Sequence, residues 1–301
     1  MTEPNGNRRL LPGVLAAGTL RLLALLPLSL NHAGGALLGW LAWLLPGRAR
    51  RVTIRNLERC YPDLDPVARN RLGRRSLLET GKTATEMGPL WLWPERRIRR
   101  LIRGVTGEQQ LREALADGKG VIVAIPHLGS WEMVGLYCSL RYPMTALYRP
   151  PHLPDLEEMV RRGRERFGAR LVPTGARGVR ALYRSLERGE MVCILPDQVP
   201  SAGQWVYAPF FGIPARTMTL VSRLTRRFGS RVIFCYAERL PRGGGFHVHF
   251  QPAPAQIHSD DPLLAASHLN LGVERCVRGL PEQYQWSYKR FRGQAAEDFY
   301  E

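Results

Sequence analysis

The spacing of apolar and polar positions divides the chain into three stretches. Residues 10–46 read LLPGVLAAGTLRLLALLPLSLNHAGGALLGWLAWLLP, strongly apolar but interrupted by Arg21, Pro27 and the Asn31–His32 pair. No part of this run reaches the ~18 uninterrupted apolar residues of a membrane span. Arg8 and Arg9 precede it and Arg48, Arg50 and Arg51 follow it, without the one-sided positive charge that a spanning helix carries. The pattern predicts apolar helices lying in a membrane interface as an anchor over residues 1–50, with Trp40 and Trp43 at headgroup depth. A buried core hairpin is the alternative. A cleaved leader is disfavoured because the apolar character resumes after each interruption.

Residues 52–116 have helical spacing. Pro66 suits the first turn of a long helix running towards Glu86, with Leu72, Leu77, Leu78 and Thr85 on its inner face. Trp91 and Trp93, followed by Pro94, end that helix. From residue 121 short apolar runs alternate with helical stretches. The runs are 121–125 (VIVAI), 145–148 (TALY), 169–172 (ARLV), 191–195 (MVCIL), 231–237 (RVIFCYA) and 246–250 (FHVHF). The helical stretches lie near 131–141, 155–167, 177–188, 217–229 and 262–279. Such alternation predicts an α/β fold with a mixed, largely parallel central sheet flanked by helices. FHVHF alternates apolar with polar, as an antiparallel edge strand does. Beyond the anchor, residues 51–301 read as one α/β domain, helical over 51–118 and strand–helix over 119–292.

Composition sharpens this picture. The 301 residues are 45% hydrophobic and 23% charged, which excludes disordered and fibrous classes. Lys plus Arg total 43 against 26 for Asp plus Glu, a net charge of +17, and all the basic residues except Lys82, Lys119 and Lys289 are arginine. An excess of this size points to an anionic partner such as a phosphorylated lipid, an anionic membrane surface or an acidic protein. Nucleic acid is set aside because no nucleic-acid-binding module is recognisable. The cysteines Cys60, Cys138, Cys193, Cys235 and Cys276 are odd in number and far apart, so they read as free, mostly buried thiols in a reducing compartment. His247 and His249 share a strand face without a third ligand, so no metal site is predicted. Arg161, Arg162, Arg164 and Arg166 read as a solvated basic helix face.

Candidate chemistry sits where strands end. The run at 121–125 leads into PHLGSWE, which sets His127 and Glu132 five apart. On one continuous helix they would diverge, so they meet only if His127 lies on the loop leaving the strand and Glu132 in the opening turn of the next helix. Gly129 allows that turn and Ser130 suits the N-cap. An imidazole there can take a proton from an alcohol while the carboxylate fixes its tautomer. The nucleophile elbow G-x-S-x-G and the zinc motif H-E-x-x-H are both absent. Further polar residues follow other strands: Tyr148–Arg149–Pro150, then Pro196–Asp197–Gln198, then the FFGIPA loop at 210–215 with Thr217. Asp197 also suits a plain turn, and Phe210 and Phe211 suit a pocket wall or core.

Taken together, H-x4-E, Tyr148–Arg149–Pro150, the P-D-Q element, the F-F-G-x-P-A-x-T loop and the tail PEQYQWSYKRF at 281–291 resemble the late acyltransferases of lipid A biosynthesis, within the wider glycerolipid acyltransferase group. The NLERCYPDL stretch at 56–64 is similar to a segment of the same family. The resemblance implies transfer of a fatty acyl chain from acyl carrier protein to a hydroxyl of a phosphorylated glycolipid acceptor, at the cytoplasmic face of the inner membrane. It implies His127 as general base, Glu132 as its orienting partner, and Arg149, Asp197, Gln198, Phe210, Phe211 and Gly212 around the substrate. No metal and no cofactor are expected. A related transferase acting on another glycolipid or a lysophospholipid is the alternative.

Overall fold

The computed structural model describes residues 7–151, 154–200, 203–293 and 299–300. The chain opens with four helices: α1 (Asn7–Leu25), α2 (Leu28–Leu44), α3 (Arg48–Cys60) and α4 (Pro66–Leu92). Asp65 caps α4 by accepting from the Val67 and Ala68 amides at 2.9 and 3.0 Å, with Pro66 at the first helical position, where its missing N–H costs nothing. Then come α5 (Glu95–Leu101), β1 (Ile102–Thr106), α6 (Glu108–Ala116), β2 (Val121–Ala124), α7 (Trp131–Ser139), β3 (Met144–Tyr148), α8 (Pro154–Glu165), β4 (Arg170–Pro173), α9 (Ala176–Glu187) and β5 (Met191–Ile194). The rest is β6 (Trp205–Phe210), β7 (Ile213–Met218), α10 (Leu220–Phe228), β8 (Arg231–Arg239), β9 (Phe246–Pro252) and α11 (Pro262–Gly279).

Seven strands form one mixed sheet in the order β1-β9-β8-β2-β5-β3-β4. Five neighbours, β8-β2-β5-β3-β4, are parallel; β9 runs antiparallel to β8 and pairs in parallel with β1. β2 and β5 are buried on both faces, which is why they read as unbroken apolar runs. Their alternate residues feed two cores. Val121, Val123 and Cys193 pack with α4, α6 and α7 on one face, and Ile122, Val192 and Ile194 pack with α9, α10 and α11 on the other. All five cysteines are buried and free.

Two strand expectations change. β9 is antiparallel as read, but it lies inside the sheet because β1, hidden in a stretch that reads as helix, pairs with its outer side. The FFG loop is the turn of a separate hairpin, β6–β7.

The membrane-anchor expectation for residues 1–50 is corrected: among the described residues, no helix is long and apolar enough to cross a membrane. Instead α1 and α2 dock on α4. Gly35 and Gly39 of α2 lie so close to α4 that a Cβ would come within 2.6 Å of the Gly81 carbonyl oxygen and 2.1 Å of the Leu77 carbonyl oxygen. Of the polar interruptions, Asn31 and His32 point inward, whereas Arg21 is exposed. Asn31 Nδ2 donates to the Leu23, Leu26 and Pro27 carbonyls, closing the end of α1, and His32 Nε2 lies 2.9 Å from Glu86 Oε2. Residues 1–6, part of the predicted anchor, lie outside the described residues.

Candidate active site

The loop after β2 is pinned from two sides. The Gln285 amide donates to the His127 carbonyl (3.1 Å), the Gly129 amide to the Gln283 carbonyl (3.0 Å) and the Ser130 amide to the Ala237 carbonyl (2.8 Å). The PEQYQW tail and the end of β8 thus hold the loop like two short extra strands, bridging Leu128 to Tyr284 and Gly129 to Ala237. Gly129 has φ +58° and its Cβ would meet the Ala237 carbonyl oxygen at 2.1 Å, so only glycine fits. A third fastening is Arg239, whose Nη2 donates to the Gly129 carbonyl at 2.8 Å.

On this loop the His127 ring meets Asp197 rather than Glu132. Nδ1 lies 2.8 Å from Asp197 Oδ1, and the His127 amide donates to Oδ2, also at 2.8 Å. Asp197 is 2% exposed. Burial pushes its carboxyl up, but the charge and hydrogen bonds of His127 outweigh burial and bring it below its usual value. An ionised Asp197 accepts from Nδ1–H, which selects the tautomer whose neutral ring has its lone pair on Nε2. Tyr284 backs the pair: burial and then the Asp197 charge raise its phenol well above the usual value, which keeps it protonated.

Glu132 does stand in the opening turn of α7, as expected, but other groups claim it. Trp91 Nε1 donates to Oε2 at 2.9 Å, Arg164 Nε donates to the same oxygen at 2.9 Å, and Arg164 Nη2 donates to Oε1. Desolvation raises the Glu132 carboxyl; the Arg164 charge and these hydrogen bonds more than reverse it, leaving it below its usual value. The orienting role assigned to Glu132 therefore passes to Asp197, because a buried carboxylate takes the cation beside it. Ser130 occupies the N-cap position without a side-chain cap.

His127, Glu132 and Arg164 open onto a cavity of about 330 Å³ between α7, α8 and the sheet. It begins at the carboxyl ends of the strands, where open α/β sheets place ligands. Arg149, Thr174 and Gln198 line this end, and Leu136, Met144, Ala169 and Cys193 line the apolar depth. Arg149 is exposed and, among the described residues, has no ion-pair partner. Gln198 Nε2 donates to Gln285 Oε1 at 3.2 Å.

Phe210, Phe211 and Gly212 do not reach the cavity and are corrected as substrate contacts. Phe210 is 1% exposed among Tyr284 and Phe291. Phe211 and Gly212, with φ +51° and +76°, make the two-residue turn of the β6–β7 hairpin, and the Phe211 amide donates to Glu274 at 2.7 Å. Of the arginines read as a solvated face, Arg161 and Arg162 are exposed, whereas Arg164 and Arg166 are half-buried. The first two pair with Glu158 and Glu165, Arg164 with Glu132, and Arg166 donates to the Leu90 and Trp93 carbonyls. His247 and His249 stack at 4.4 Å and are bonded to Thr106 and Glu238.

Sequence reasoning missed Trp91, Arg164, Arg239 and Glu86. Trp91 and Glu86 on α4, Arg164 on α8 and Arg239 at the end of β8 are separate polar or aromatic residues, without local spacing to single them out.

The bacterial lipid A biosynthesis acyltransferase family matches over residues 8–293. The chain is 28% identical over 279 residues to the lipid A biosynthesis lauroyltransferase of Escherichia coli (strain K12), covering 92% of this chain and 90% of that one. It is 28% identical over 276 residues to the palmitoleoyltransferase of the same organism, covering 91% and 89%. A phosphatidylinositol mannoside acyltransferase of Mycobacterium tuberculosis (strain ATCC 25618 / H37Rv) is 28% identical over 157 residues, half of this chain and 49% of its own.

Proposed function

Because the chain belongs to the bacterial lipid A biosynthesis acyltransferase family, and so is an acyltransferase, we propose that it moves a fatty acyl chain from an acyl carrier protein thioester to a hydroxyl of a phosphorylated lipid A precursor at the inner membrane's cytoplasmic face. The observation that carries this reading is the His127–Asp197 pair, its imidazole facing a cavity with Arg149 at the mouth and an apolar interior.

The acceptor hydroxyl gives its proton to His127 Nε2 as its oxygen attacks the thioester carbonyl carbon. Asp197 holds the ring in the required tautomer and stabilises the imidazolium that forms. The new C–O bond gives a tetrahedral oxyanion. When it collapses the C–S bond breaks, and the imidazolium returns its proton to the leaving thiolate. Glu132 fixes Arg164 at the cavity wall, with Trp91 bonded behind it, rather than moving a proton. Arg149 stands where a phosphate of donor or acceptor would enter. The net charge of +17 suits both an acidic carrier protein and a phosphorylated lipid. The proton inventory closes on His127 alone, so the reaction as written asks for no cofactor.

The test is His127→Ala in cells lacking a late acyltransferase, with lipid mass spectrometry and labelled thioester donors. Loss of about 10²–10⁴-fold in transfer is expected, with an unchanged circular dichroism spectrum. Retained activity refutes the assignment. The partial likeness to the mannoside acyltransferase favours one second reading, an acceptor that is another glycolipid. The same spectra decide it by which lipid gains the acyl mass.

A further inference from the structure

Helix α7 turns one face to the cavity, and that face carries Trp131, Glu132, Gly135 and Leu136. Gly135 is out of place by every local rule. It sits in the middle of α7, where glycine is the poorest helix former after proline. Its φ is not among the positive ones, so the backbone does not demand glycine. Nor does packing: a Cβ there would meet nothing within 4 Å, unlike Gly35 and Gly39, which carry α4 against them. What lies in front of Gly135 is the open space of the cavity itself.

We propose that Gly135 sets the width of the cavity at mid-depth and thereby the length of acyl chain the enzyme accepts. The cavity follows β3 from Arg149 at the mouth to Met144, roughly 16 Å at ~3.3 Å per residue. Three bonds of a fully extended peptide cover about 3.3–3.6 Å, so an extended alkyl chain spans roughly 1.2 Å per bond and about 14 carbons fill that depth. The Trp131 ring touches His127, with centroids 4.9 Å apart. Gly135 lies one helical turn further down, about 6 Å along the axis. A side chain at 135 would close the lower part of the cavity and leave its upper part open.

This rests on the reading of the donor as an acyl thioester, so the experiment includes a measurement that needs no transfer. Gly135→Leu and Gly135→Ala are compared with the parent for transfer from hexanoyl and dodecanoyl thioesters, and for calorimetric binding of free hexanoate and dodecanoate. Gly135→Leu is expected to lower kcat/KM for dodecanoyl at least 30-fold and for hexanoyl less than threefold, with dodecanoate binding weakened in step. Gly135→Ala should raise Tm, since alanine suits a helix better, and still shift the dodecanoyl-to-hexanoyl ratio several-fold. That variant decides the matter if Gly135→Leu does not fold. Equal losses for both lengths, or unchanged selectivity in folded Gly135→Ala, overturn the proposal. A parent that binds the two acids with this length dependence but transfers neither chain upholds it and removes the thioester reading instead.

Discussion

The N-terminal helical pair and the sheet body bury opposite kinds of side chain. In the body, Val121, Val123, Met191 and Ile233 face inward. In α2 the inward residues include Asn31, His32, Gly35 and Gly39, while Leu22 and Leu25 of α1 and Leu37, Leu38 and Leu45 are exposed. Hydropathy reports what a segment contains and says nothing about which side it turns inward. In the body, apolar area decides the inward side. In the helical pair, polar and small residues decide it: Asn31 Nδ2 and His32 find partners inside, and Gly35 and Gly39 let α2 close on α4. The two regions are fastened together by buried polar groups. Arg239, at the end of β8, donates from Nε to Glu86 Oε2 at 2.7 Å and from Nη2 to Glu86 Oε1 at 2.8 Å. His32 meets the same carboxylate, and Arg239 also holds the Gly129 carbonyl of the His127 loop. The docked helices are thus one fastening away from the imidazole.

The sharpest separation of chemistry from scaffold is Asp197→Asn. The amide keeps the shape of the pair but can present its NH₂ to Nδ1, which favours the tautomer with a protonated Nε2. In Ser–His–Asp enzymes the same change costs about 10⁴-fold in kcat. Here a loss of about 10²–10⁴-fold is expected, with a thermal midpoint within a few degrees of the parent. If Glu132→Gln cost kcat as much while Asp197→Asn left it alone, the two carboxylates would have to exchange roles. Single-turnover rates on both variants give the answer.

That contrast also shows what could be read from the sequence. His127 was legible because it follows an apolar strand, and strand ends are where sites form. β2, β5 and β8 were legible because strands buried on both faces leave no polar interruption. Asp197 was visible as a strand-end residue, but not its role, since 70 positions separate it from His127; only the pairing of β2 with β5 makes them neighbours. Glu132 drew the role by nearness in sequence, while Trp91 and Arg164 claimed it in space. β1 stayed hidden because IRGVT is short and half exposed. β6–β7 stayed hidden because Pro209 and Pro214 face each other, and proline is a poor member of a sheet ladder.

The fastening itself is tested by Glu86→Gln. Burial raises the Glu86 carboxyl, yet the Arg239 charge and the His32 and Arg239 hydrogen bonds bring it down to about 2. A carboxyl lowered on folding adds stability above its unfolded value, and that stability is lost as pH falls through the folded value. The variant should be less stable than the parent by about 3 kcal/mol near neutral pH, the lower end of what breaking a buried pair costs. The gap should close between about pH 4.5 and about pH 2. Denaturant unfolding at several pH values measures it. A gap that widens on acidification would mean that Glu86 is not the group holding the helices to the body.

The smallest expected effect falls on the outer face of the same helices. Leu38 is 54% exposed, whereas the next residue, Gly39, lies against the α4 backbone. If burial rather than hydropathy fixes the arrangement, Leu38→Gln should change unfolding free energy by less than about 0.5 kcal/mol, the range for surface positions. One step along α2 rotates a residue by about 100°, from open surface to helix–helix contact. A loss above about 1 kcal/mol for Leu38→Gln would mean that the apolar leucines, and not Asn31 and His32, face α4. The contrast between the two regions would then vanish.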